Sequence, residues 1–138
     1  MLITGVHGFV GSNLVKALSK EHTIYGLDIV APEKEGVAKT YSWDDLDSGA
    51  MPEIDAVIHL AGKAHDTRNK SAADVYFKVN TGLTKKIFDW YEAQASTKKF
   101  IFFSTAKAAA ECVPEVLYED VTPTPKGPYG ESKIQAEE

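Results

Sequence analysis

Long hydrophobic runs, clustered cysteines and blocks of like charge are all missing from this chain. No apolar stretch approaches the 18 residues needed to cross a bilayer, and the N-terminus carries no signal-peptide pattern. The expectation is a cytoplasmic protein with no membrane partner. Cys112 is the single cysteine, which excludes a disulfide framework and agrees with a reducing compartment. With no histidine near it in sequence, it reads as an incidental loop residue. The 15 Lys and Arg are outnumbered by 20 Asp and Glu, for a net charge of −5. Basic residues stand together only in pairs such as Lys85-Lys86 and Lys98-Lys99, which read as solvated ends of elements. Nucleic acid is therefore not expected as a partner, because gripping a phosphate backbone takes a concentrated basic patch. His7, His22, His59 and His65 show no ligand spacing with cysteine or carboxylates, so no metal site is expected. Internal repeats and low-complexity segments are lacking too. The remainder is 138 residues, 43% hydrophobic, enough for one globular domain over 1–138 with a proper core.

Thr4-Gly5-Val6-His7-Gly8-Phe9-Val10-Gly11 sets three glycines at three-residue intervals after the short apolar run Leu2-Ile3. Behind them Val10, Leu14, Ala17 and Leu18 recur at helical spacing, so the context is strand, tight turn, helix. A pyrophosphate needs backbone N–H groups at a helix N-terminus and a backbone free of Cβ atoms at closest approach, and glycine supplies both. An ordinary glycine-rich turn shares this triplet, so the rest of the chain decides. Thr23–Asp28 reads as a second strand ending on a carboxylate 23 positions after Gly5. In a βαβ dinucleotide site such a carboxylate accepts hydrogen bonds from the adenosine ribose and repels a 2′-phosphate. Asp28 thus favours NAD over NADP, and no arginine follows to reverse the choice; the plainer reading is a strand cap.

Residues 30–38, broken by Pro32 and Gly36, read as a surface loop. A third strand is expected over Lys39–Trp43, ending at Asp44-Asp45-Leu46. Asp55–Gly62 is almost continuously apolar, as a parallel strand buried on both faces would be, and His59 within it reads as a core histidine. From Ser71 a long helix is expected, with Ala72, Val75, Tyr76, Val79, Leu83, Ile87 and Trp90 in one apolar stripe and Asn80 beside it. A fifth strand, Phe100–Phe103, ends at Ser104-Thr105, where strand carboxyl ends line the ligand crevice of an open α/β sheet. An irregular stretch over 106–127 follows, with Pro114, Pro123, Pro125 and Gly127 as breakers, before a last helix from Pro128 to Glu138. The alternation of strand and helix predicts an α/β fold with a Rossmann-like, doubly wound parallel sheet.

Tyr129 and Lys133 are four apart on that last helix, which places both on one face within reach of one ligand. A phenol is a poor base at neutral pH, but a neighbouring ammonium stabilises its phenolate. Thr105 could hold a substrate hydroxyl or carbonyl while Tyr129 takes or returns the proton. A solvated helix face would explain the pair alone; the glycine turn, Asp28 and the hydroxyl-ended strand in this order argue for a site.

Taken together, these residues resemble the extended short-chain dehydrogenases/reductases, specifically the NAD-dependent nucleotide-sugar epimerase/dehydratase family, over the whole chain. Residues 4–11 match its TGxxGFxG, Asp28-Ile29 its acidic second-strand end, and Tyr129-Gly130-Glu131-Ser132-Lys133 its YGxSK. Asp45-Leu46 resembles the Asp-apolar pair that holds adenine, with Asp44 as the alternative. His59-Leu60-Ala61-Gly62 matches the motif beside the two riboses, Asn80 the asparagine that supports the active site, and Thr105 the catalytic Ser or Thr. The resemblance implies that Gly5, His7, Gly8, Phe9, Val10, Gly11, Asp28, Ile29, Asp45, Leu46, Leu60, Ala61 and Gly62 hold NAD. It implies Thr105, Tyr129, Lys133 and Asn80 as the catalytic set, with Tyr129 and Lys133 also touching the cofactor.

The implied reaction is hydride transfer at C4 of a nucleotide sugar, as a 4-epimerase or a 4-ketoreductase. Ala106-Lys107 stands where dehydratases of the group carry Asp-Glu, so 4,6-dehydration is not expected. Ala109-Ala110 replaces the Tyr-Gly of many epimerases, and Lys107 has a counterpart in relatives acting on N-acetylated nucleotide sugars. Family members continue past the YGxSK helix, so the resemblance implies a cofactor-binding portion truncated before the last strands, without its substrate-binding part. Such a chain is expected to bind NAD weakly or not at all by itself and to turn over no sugar, and the full-length protein to form a homodimer. The alternatives are a catalytically silent dinucleotide-sensing or scaffolding protein of the same fold, and a short interaction module.

Overall fold

The computed structural model describes residues 1–30, 32–64, 72–113 and 115–138. His65, Ser71 and Pro114, named above, lie outside the described residues. The chain divides into two compact units, Met1–Ala61 with Lys86–Phe103, and Gly62–Lys85 with Ser104–Glu138.

The first unit holds a five-stranded sheet of β1 (Leu2–Thr4), β2 (Tyr25–Leu27), β3 (Lys39–Tyr41), β4 (Ala56–His59) and β5 (Lys99–Phe102). Its order is β3-β2-β1-β4-β5, and every pairing is parallel. This is the doubly wound parallel arrangement predicted above, with β2, β3 and β4 shorter than the runs expected for them and β5 beginning and ending one residue earlier than expected. Because side chains alternate along a strand, Leu2 and Ile3 belong to different cores. Leu2, Leu27, Tyr41, Leu46, Ile54, Val57 and Ile87 pack on one face. Ile3, Val6, Val15, Ile24 and Ile58 pack on the other, beneath α1 (Phe9–Leu18). The chain runs from β1 out to β3 and returns to β4 on the other side of β1, so the carboxyl ends of β1 and β4 form the switch point where open α/β sheets take their ligands.

The second unit contains α2 (Ala73–Tyr76), a π turn (Phe77–Thr81), the first residues of α3 (Gly82–Glu92), α4 (Ala106–Ala109) and α5 (Gly127–Glu137). Two expectations are corrected here. The helix predicted from Ser71 is interrupted by the π turn, and the apolar stripe is buried only in part: Ala72 and Val75 are exposed, whereas Tyr76 and Ile87 are buried together with the polar Asn80 and Thr84. Polar side chains tolerate that position because they are bonded, the Thr84 hydroxyl donating to the Asn80 carbonyl at 2.5 Å. The stretch 106–127 is likewise not irregular throughout, because Thr105 caps a helical turn, its Oγ1 accepting from the Lys107 amide at 3.3 Å. Thr124 returns to this turn, its amide donating to the Ala109 carbonyl at 2.7 Å.

Candidate functional site

The predicted site residues divide between the two units. Those of the glycine turn, with Asp28, Ile29, Asp45, Leu46, Leu60 and Ala61, fall in the first. Gly62, Asn80, Thr105, Tyr129 and Lys133 fall in the second.

In the first unit Gly5 leaves β1 with φ +67°, a conformation that side chains resist. Any Cβ there would stand 3.0 Å from the backbone N and Cα of Ala61, so glycine is what lets the turn close on the end of β4. Thr4, fully buried, fastens the same seam. Its Oγ1 accepts from the amides of Leu60 at 3.1 Å and Ala61 at 2.9 Å, and lies 2.6 Å from His59 Nδ1. His59 is buried beside it, stacked on Phe102 and edge-on to Trp43. Thr4 was not singled out in sequence, although it opens the glycine motif.

The turn then delivers α1, whose N-cap Gly8 provides no side-chain hydrogen bond, so its first-turn amides are not capped by an N-cap side chain among the described residues. Asp28 is aimed by this turn, Oδ2 accepting from the His7 amide at 3.0 Å and Oδ1 from the Ile29 amide at 2.8 Å. Phe9 is 87% exposed and Ile29 84%, with Val10 also exposed. His7 Nε2 is buried without a partner among the described residues. Uncapped amides, an aimed carboxylate, uncovered apolar side chains and an orphaned ring nitrogen together fit a dinucleotide, with anion, ribose and flat ring each having a counterpart.

Asp45 and Leu46 sit differently. The Asp45 carboxylate accepts from the Ser42 amide at 2.7 Å and hydroxyl at 2.9 Å. Those bonds hold its carboxyl below the ordinary carboxylate range. Leu46 is 5% exposed and belongs to the core.

In the second unit α5 packs against α2, the π turn and α4. Gly130 makes the closest approach; any Cβ there would overlap the Lys107 carbonyl oxygen. Asn80, in the π turn, pairs with the backbone of Lys63, Oδ1 accepting from the amide at 2.7 Å and Nδ2 donating to the carbonyl at 3.3 Å. Asn80 Nδ2 also donates to Ser132 Oγ at 2.9 Å, and Ser132 Oγ donates to the Tyr129 carbonyl at 2.9 Å. The geometry therefore joins Asn80 to the turn of α5 that carries Tyr129 and Lys133. Sequence reading passed over Ser132; its signal was a small polar residue inside YGxSK on the buried side of a helix. Tyr129 is half-buried, its ring 6.3 Å from that of Tyr76 and edge-on to it. Ser104 Oγ bonds Glu137. Thr105 borders a cavity of about 300 Å³ with Ala109, Leu117, Tyr118, Ile134 and Glu137. Lys107 is engaged by Glu111 at 2.8 Å.

Lys133 is 7% exposed, and burial pushes its ammonium down to about 8, against a smaller upward pull from Glu137 one turn along α5. Unfolded, it titrates near 10.5. Between these values the unfolded chain holds a proton that the folded chain has released, so this residue's contribution to stability is least favourable below pH 8 and improves as pH rises toward 10.5. Chemical denaturation across that window should show the unaltered protein gaining stability relative to Lys133→Met. Parallel pH profiles for the two would remove burial of the charge as the cause.

Residues 1–138 match the model of the NAD dependent epimerase/dehydratase family. Among curated proteins the chain is similar to the GDP-6-deoxy-D-mannose reductase of Pseudomonas aeruginosa, 29% identical over 99% of this chain and 44% of that protein. It is similar also to the UDP-glucose 4-epimerase of Streptococcus mutans, 29% identical over 99% of this chain and 45% of that one. The solved structure of MoeE5 in complex with UDP-glucose and NAD superimposes with a TM-score of 0.83 at 27% identity, covering 99% of this chain and 46% of that chain. The chain thus spans somewhat under half the length of the relatives it matches. Among the described residues no helix is long and apolar enough to cross a membrane.

Proposed function

Because the chain belongs to the NAD dependent epimerase/dehydratase family, we propose that it carries the cofactor-binding share of an NAD-dependent nucleotide-sugar 4-epimerase or 4-ketoreductase. Gly5, His7, Gly8, Phe9, Val10 and Gly11 would hold the diphosphate side of NAD, Asp28 and Ile29 the adenosine, and Leu60, Ala61 and Gly62 the ribose side. Asp45 would meet the adenine through its remaining lone pairs, and Leu46 through its backbone. When bound, NAD supplies a hydride acceptor and donor for a carbon atom. The protein's own residues manage the proton. Tyr129 takes it from the sugar C4 hydroxyl through its phenol oxygen, Thr105 holds that hydroxyl through Oγ1, and the Lys133 ammonium stabilises the phenolate. Asn80 and Ser132 fix the turn of α5 on which Tyr129 and Lys133 stand.

The observation that most supports this reading is Lys133, a lysine buried one helical turn from a tyrosine and held there by bonded polar neighbours. A protein that only senses a dinucleotide has no use for that arrangement, which weighs against the catalytically silent alternative. The full-length protein, given NAD and a panel of UDP- and GDP-linked hexoses, should invert C4 of at least one sugar, read by NMR. Given NADH and a 4-keto sugar, it should reduce the ketone. Bound NAD with every sugar unchanged would favour the silent protein.

A further inference from the structure

Residues 32–38, which lead into β3, contribute nothing to the reading so far, yet the structure fixes them on α1. Gly36 adopts φ +81° with its Cα against the helix, where a Cβ would stand 3.0 Å from Val15 Cγ1 and from Ser19. The Val37 amide closes the turn by donating to the Lys34 carbonyl at 3.0 Å. Lys34, thus anchored, reaches back to α1 and donates from Nζ to Ser12 Oγ at 2.9 Å. Among the described residues that hydroxyl is its partner, and no carboxylate pairs with it, although Glu33 and Glu35 flank it in sequence. Ser12 lies in the first turns of α1, and its hydroxyl is also 3.5 Å from the carbonyl of His7 in the glycine turn.

A cation is out of place there. The N-terminal end of a helix carries partial positive charge, so an ammonium is repelled unless an anion stands between them. Uncapped amides, the half-satisfied ammonium and the helix dipole all ask for the same kind of charge. We infer that Lys34 is a phosphate-binding residue of the cofactor site, holding the diphosphate of the bound dinucleotide from its seat on Ser12. A 2′-phosphate is the other phosphate a dinucleotide can offer, but the aimed carboxylate of Asp28 repels it. This inference rests on the NAD reading, and its test separates the two.

Isothermal titration of the full-length protein with NAD, ADP, adenosine and NADP reads binding without turnover. Lys34→Gln should weaken NAD and ADP about tenfold at low salt, the loss of one charge-assisted contact. The difference should shrink as salt rises, because the loop is partly exposed. Adenosine, which has no phosphate, should bind unchanged, and Lys34→Arg should restore the diphosphate ligands. Unchanged NAD and ADP affinity in Lys34→Gln would overturn the inference while leaving the cofactor reading intact. Equal loss for adenosine would show general damage, and loss confined to NADP would place the lysine on a 2′-phosphate; either overturns it. An unaltered protein that binds neither NAD nor ADP would overturn the cofactor reading, and this inference with it.

Discussion

Replacing Tyr129 with phenylalanine in the full-length protein should lower turnover of its nucleotide sugar by about 10²- to 10⁴-fold, the range that one positioned acid/base contributes. NAD affinity should stay within about tenfold, since a single neutral hydrogen bond contributes about 0.5–1.5 kcal/mol to such a site. The substitution is informative because so little else changes. Phenylalanine keeps the ring that meets Tyr76 edge-on at 6.3 Å. The bond from Ser132 runs to the backbone carbonyl of residue 129 and does not involve the phenol. The α5 turn should therefore hold its geometry while the proton carrier is lost. Turnover equal to that of the unaltered protein would sink the acid/base assignment. Loss of turnover together with loss of thermal stability would instead point to a packing role for the hydroxyl.

Gly11→Ala should destabilise the first unit by about 1–3 kcal/mol, as overpacking of a closed site does, and should abolish NAD binding with it. A Cβ at this position would stand 2.5 Å from the Gly5 carbonyl oxygen, 2.8 Å from Val6 Cα and 2.9 Å from the Val6 carbonyl oxygen. All three are backbone atoms, so no side chain can swing aside to make room. Either α1 moves off the turn or the turn opens, and in both cases the amides lose their aim. Gly82→Ala is the matched control, a helical glycine whose nearest neighbour to a built Cβ is 3.8 Å away. It should be neutral or stabilising by up to about 1 kcal/mol, following helix propensity. Denaturant titration of both variants decides the matter; equal stability would mean that the turn has slack the close contacts do not suggest.

What could be read from the chain beforehand follows from how local each signal is. The glycine turn, the carboxylate at the end of β2 and the parallel sheet were legible because each rests on spacing within a few residues, or on the simple alternation of strand and helix. The π turn was not, because counting apolar residues at a period of 3.6 assumes that no residue is inserted. Ala72 and Val75, which precede the π turn, are exposed, and burial falls instead on Asn80 within it and Thr84 after it, whose polar side chains carry no hydrophobic signal. Thr105 was picked for its hydroxyl at a strand end, but its second task, capping α4, was hidden by the proline-rich stretch behind it. Thr4 and Ser132 were illegible for another reason. Their partners lie 55 to 57 and 52 residues away in sequence, and only the folded chain brings such groups together.

The Thr4 hydroxyl settles one more matter, the location of a hydrogen atom. Its oxygen already accepts from two amides, Leu60 and Ala61, which uses both lone pairs. At 2.6 Å from His59 Nδ1 it can only donate, so that nitrogen must be bare. The neutral imidazole therefore carries its hydrogen on Nε2. Donation along the seam between β1 and β4 runs one way, from the amides through the hydroxyl to the ring, and a residue at position 59 with nothing but donors to offer Thr4 would reverse the last link and break it.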